Sequence, residues 1–118
     1  MRVLVCGGRN FEDRALLDRT LDEAHLADNF EVLIHGMARG ADRLAHAWAE
    51  RRGVKIQAFR PDWKKFGKAA GPFRNARMLK VGRPQMVIAF PGGRGTRDMV
   101  TQARAAGVPV IEIDKVFA

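Results

Sequence analysis

Three glycines and a threonine follow the apolar run "MVIAF" in the stretch "FPGGRGT" at residues 90–96. One glycine makes a turn; several close together leave a backbone that a ligand or another chain segment can approach closely. Two further apolar runs end the same way, in "CGGRNF" (6–11) and "HGMARGAD" (35–42). Where such a loop opens a helix, unpaired N–H groups and the positive dipole end meet an anion, and phosphate is the natural guest. Gly7, Gly8, Arg9, Gly36, Gly92, Gly93, Gly95 and Thr96 are therefore candidate ligand contacts.

A second group of residues lies in "RPDWKKFGKAAGPFRNARM" (60–78). Trp63 and Phe66 offer faces for stacking on a base, with Lys64, Lys65 and Lys68 close in sequence to meet phosphates. Trp63 plugging the core beneath a loop is the competing expectation. "GPFRN" places Arg74 and Asn75 in the first turn of a helix that Pro72 suits, where a guanidinium can grip phosphate with two parallel bonds. Asp42, in the first turn of another helix, is a candidate carboxylate, although the helix dipole alone favours acid there. Asp42 and His46, one turn apart, read as a surface pair. His35 stands at the end of a strand, either touching ligand or packing under the loop, and Cys6 reads as core.

Several chemistries are disfavoured. "GGRNFE" lacks the spacing of a dinucleotide turn and the second strand has no terminal acid for a ribose, so NAD and FAD are not expected. "PGGRGTRD" lacks the Gly-Lys-Ser/Thr of a P-loop, and the three histidines and one cysteine have no metal spacing. No cofactor and no metal are expected.

The elements that carry these residues follow from periodicity. Short Val/Ile-rich runs at 3–6, 31–35, 54–59, 86–90 and 108–113 read as strands. Helical spacing covers 12–29, 41–52, 72–81 and 97–106, with Gly53 and Gly107 where helices stop. Strict alternation over residues 1–118, with no linker or repeat, predicts one α/β domain: a three-layer Rossmann-like fold with a five-stranded parallel sheet and helices on both faces. In strand order 3-2-1-4-5, the ligand crevice lies at the carboxyl ends of the first and fourth strands.

The 21 Lys and Arg against 13 Asp and Glu give a net charge of +8, which favours anionic partners: a nucleotide, or nucleic acid as an alternative. The longest apolar run is too short to span a bilayer, no signal-peptide pattern is seen, and a lone cysteine suits the reducing cytoplasm.

In this order and around this strand pattern, "HGMARGAD", "GPFRNARM" and "PGGRGT" resemble the SLOG superfamily of Rossmann-like nucleotide-ligand proteins, most closely its YspA/YpsA-related branch. The lonely-guy phosphoribohydrolases belong to that superfamily, and the DNA-processing protein A fold is related. The resemblance implies a phosphate and ribose site along Pro91–Thr96. It makes Arg74 the counterpart of an active-site arginine, with Asn75 in place of a lysine. The glutamate that closes the hydrolase motif falls on Met99, so hydrolysis would need a displaced acid, Asp98 or Asp42. Relatives are often dimers, which makes a homodimer an expectation.

Overall fold

The computed structural model describes residues 1–114, and residues 115–118 of the expected domain lie outside the described part. Five strands, β1 (Arg2–Cys6), β2 (Val32–His35), β3 (Lys55–Ala58), β4 (Met86–Ala89) and β5 (Val110–Glu112), pair in parallel in the order β3-β2-β1-β4-β5. The predicted order holds because each crossover is a helix packed back on the sheet.

Alternation within the strands divides the core into two layers. Val3 and Val5 of β1 point to one face, joined by Leu33, Ile88 and Phe90. That face is covered by α1 (Arg14–Asp28) through Leu17 and Leu21, and by α2 (Ala41–Arg52) through Ala45, Trp48 and Ala49. Leu4 and Cys6 point the other way with Ile34, Val87 and Ala89. There α4 (Ala70–Lys80) contributes Met78, and α5 (Arg94–Ala105) contributes Met99, Val100 and Ala103. The central strands β1, β2 and β4 are nearly all apolar because both their faces are covered.

Local chemistry sets the helix ends. Asp13 caps α1 by accepting from the Leu16 N–H at 3.0 Å. Gly53 stops α2 in the left-handed conformation at φ 69°, its N–H reaching the Ala49 and Glu50 carbonyls. Trp48 is fully buried, and its indole N–H donates to Asp22, which Arg52 also grips with two bonds of 2.8 and 2.9 Å.

Two helix starts differ from the sequence expectation. The connection after β3 contains a short helix, α3 (Trp63–Phe66), and a 3₁₀ turn (Gly67–Ala69) that runs directly into α4. The third long helix, α4, therefore begins at Ala70, which puts Arg74 and Asn75 in its second turn and aims them back over the first. The last helix begins at Arg94 and takes Gly95 and Thr96 into its first turn. Glycine-rich sequence reads as loop, yet Gly95 has a helical role here.

Candidate functional site

At the carboxyl ends of β1 and β4 lies a cavity of about 750 Å³, within the range of small-molecule sites. The direction of winding reverses here, β2 lying on one side of β1 and β4 on the other.

The glycines that form its floor fall into two groups. Gly8 and Gly92 face each other: a Cβ on Gly8 would sit 2.9 Å from the Pro91 carbonyl oxygen, and one on Gly92 would sit 2.6 Å from the Gly8 nitrogen. The Gly8 N–H donates to the Pro91 carbonyl at 2.9 Å, and the Gly8 carbonyl accepts from Phe11 and Ala41. Gly7 is similarly pressed against Ala41 and Phe90. These residues bring three loops together. Gly93 and Gly95 differ, since nothing lies within 4 Å of where their side chains would begin. No side chain caps α5, so the amides of its first turn open into the cavity beside Thr96.

The opposite wall comes from α4. Arg74 donates from Nε to Asn75 Oδ1 at 2.9 Å and through a terminal nitrogen to the Gly36 carbonyl. Asn75 is buried, and its amide donates to Asp98 Oδ2 at 2.8 Å. Gln102 donates to the same oxygen at 2.8 Å and to the Pro72 carbonyl at 3.1 Å. Arg74, Asn75 and Asp98 thus form one chain of bonds along the cavity wall. Burial pushes the Arg74 guanidinium below its ordinary range, while Asp42 pulls the other way.

Asp42 is a buried carboxylate at the cavity wall and not part of a surface pair with His46. Its Oδ2 accepts from the Gly36 and Ala38 N–H groups, each at 3.1 Å, and so shapes the loop after β2. Burial raises its pKa to about 6, against the opposing pull of the Ala38 N–H and Arg74. His46 turns instead to His35, with ring nitrogens 2.9 Å apart. His35 packs under the loop, where its Nδ1 accepts from the Met37 N–H at 3.0 Å; that bond requires the Nε2–H tautomer. Burial, then the nearby His46 and Arg74, lower its pKa to about 4.

Gly7, Gly8, Arg9, Asp42, Trp63, Arg74, Asn75, Gly92, Gly93, Gly95, Thr96 and Asp98 all line the cavity. Gly36 does not; it is buried and contributes through its carbonyl bond to Arg74. Trp63 is 49% exposed, so it does not plug the core. Cys6 lies in the core at the cavity floor, where burial pushes its thiol well above the ordinary range, away from a nucleophilic thiolate. Met99, at the position of the hydrolase glutamate, is 1% exposed. The sequence reading did not single out Arg94, which lines the cavity, or Gln102, which supports Asp98. The i,i+4 spacing of Asp98 and Gln102 was the available signal for the latter.

A doubly covered parallel sheet with glycine loops gathered at the carboxyl ends of β1 and β4 defines a Rossmann-like fold. Residues 1–66 match the family described as YAcAr, the YspA, cpYpsA-related SLOG family. The chain is also 42% identical over 118 residues to the Gene 61 protein of Mycobacterium phage D29, an alignment that covers 93% of this chain and 94% of that protein. The chain belongs to the YspA-related SLOG family, whose members are nucleotide-related Rossmann-like modules.

Proposed function

We propose that this protein is a single-domain binding module or sensor that holds a nucleotide or nucleotide-derived ligand in the crevice between β1 and β4. The observation that carries this reading is the uncapped start of α5, where Gly93 and Gly95 leave open space in the cavity that Arg74 also lines. A phosphate there would take hydrogen bonds from first-turn amides and the Thr96 hydroxyl, with Arg74 adding charge across the cleft. Asn75 would orient Arg74, and Asp42 would hold the loop that borders the ribose.

Isothermal calorimetry with nucleoside mono- and diphosphates tests this. Binding that persists when sodium chloride rises from about 50 to 200 mM fits one phosphate held mainly by amides, whereas a steep loss would indicate many phosphate contacts, as in nucleic acid. No heat with any nucleotide would reject the reading.

Asp98 on the cavity wall favours a second reading, a nucleoside 5′-monophosphate phosphoribohydrolase. Cleaving an N-glycosidic bond builds positive charge on the ribose, which a carboxylate stabilises, and Asp98 would supply it where Met99 cannot. Chromatography for free base and ribose 5-phosphate separates the two readings. Release that Asp98→Asn abolishes would make the protein an enzyme; no release from folded protein would leave binding as its role.

A further inference from the structure

We infer that Arg9 and Trp63 together form a stacking subsite for a nucleobase, which makes the crevice select base-bearing ligands over sugar phosphates. This inference rests on the phosphate-binding reading above and adds to it the residues that decide specificity.

The two side chains come from distant parts of the chain and meet at the cavity wall. Arg9 lies in the loop after β1, Trp63 begins α3, and the guanidinium carbon stands 5.7 Å from the centre of the indole ring. Among the described residues Arg9 has no ion-pair partner, and its guanidinium lies over the indole.

The fold itself does not call for a tryptophan at position 63. Helix α3 buries none of its residues, and Asp62 holds its start by accepting from the Lys65 N–H at 3.1 Å. An indole left 49% exposed forgoes about half of the stabilisation that burying so large a ring would bring. The other aromatics of this segment are differently engaged: Phe66 and Phe73 pack against each other with ring centres 4.5 Å apart and planes tilted by 41°, and neither lines the cavity. Trp63 is the aromatic of this segment that faces the ligand space.

A guanidinium over an indole is a ready site for a third planar group. A base can stack on the ring, on the guanidinium plane, or between them, and each contact tolerates any base because each base has a π face. Sugar phosphates have no such face. Lys68, also on the wall, adds positive charge on the same side.

The two tryptophans make the test direct. Trp48 is fully buried and bonded to Asp22, so a ligand-dependent change in emission reports Trp63. Wild type, Trp63→Ala and Trp63→Phe are titrated with AMP, GMP, CMP, UMP and ribose 5-phosphate, by calorimetry and by fluorescence. We expect at least one nucleotide to bind roughly tenfold tighter than ribose 5-phosphate. It should also change the emission of the wild type. The preference should collapse in Trp63→Ala and survive in Trp63→Phe, where the emission change disappears. Equal affinity for nucleotides and ribose 5-phosphate in the wild type, or a preference that survives Trp63→Ala, overturns the stacking subsite and leaves the phosphate site standing. Folded protein that binds none of the five overturns both.

Discussion

The guanidinium of Arg74 donates to the Gly36 carbonyl, which ties α4 to the loop after β2 across 38 residues of sequence. A Cβ at residue 36 would occupy the place of that guanidinium, so the glycine lets Arg74 lie where it does. Arg74 is therefore positioned before any ligand arrives, and its ordering entropy has been met by folding.

Replacing Arg74 should expose this arrangement. We expect Arg74→Ala to weaken nucleotide binding by more than tenfold, and Arg74→Lys to restore little of it, because an ammonium cannot bond Asn75 and the Gly36 carbonyl in the same planar geometry. Calorimetric affinities equal to wild type would remove Arg74 from the site.

The two classes of glycine should respond in opposite ways. Gly92→Ala forces a methyl toward the Gly8 nitrogen and the Thr96 side chain, and should cost about 1–3 kcal/mol of stability. Gly95→Ala places a methyl in open space on a helix, where alanine is favoured by up to about 1 kcal/mol. It should leave the melting temperature unchanged or raised while weakening phosphate binding. Thermal denaturation and titration of the same two samples give the comparison.

Asn75 should matter for stability as well as for binding. Its side chain serves Arg74 and Asp98 at once, and Asn75→Ala would leave both with a lost partner beside a buried gap. A cost of about 1–3 kcal/mol in urea unfolding is expected, and a shift below the error of the measurement would show the network to be slack.

Acidity should reveal two opposing groups. The folded state holds the Asp42 proton more tightly than the unfolded chain does, so the contribution of Asp42 falls as pH rises from the ordinary carboxylate value to about 6. His35 behaves oppositely: its folded pKa is lowered to about 4, so its contribution rises with pH from there toward its ordinary value of 6.5. The two slopes oppose each other in wild type. Asp42→Asn, which keeps an oxygen for the Gly36 and Ala38 N–H groups, should make stability climb between pH 4 and 6 relative to wild type. His35→Gln should make it fall. Urea midpoints measured across that window check both signs, and slopes of the same sign in the two variants would contradict the assignment.

The layered fold was legible in the sequence because alternation of apolar runs and helical stripes leaves few arrangements for a parallel sheet. The location of the crevice followed from strand order. What the residues did not reveal alone was how each glycine is used: Gly92 and Gly95 sit in the same hexapeptide, yet one is pressed by a neighbouring loop and the other opens to the cavity. Only the packing of the β1 loop against the β4 loop separates them. The surface pair of Asp42 with His46 was misjudged for a related reason, since a first-turn acid normally faces water, while here the loop it bonds folds back over it. The pairing of His35 with His46 depends on α2 lying against the sheet, which sequence spacing does not encode.

The clasp between Gly8 and Gly92 bears on how such a site can change over generations. Its parts are interlocked backbone, so altering one residue obliges its partner to move, and single substitutions there meet a steep penalty. The rim formed by α3 is a different material, built of side chains that the core does not need. New ligand preferences in proteins of this plan should therefore arise by rewriting the rim, with the cradle inherited intact.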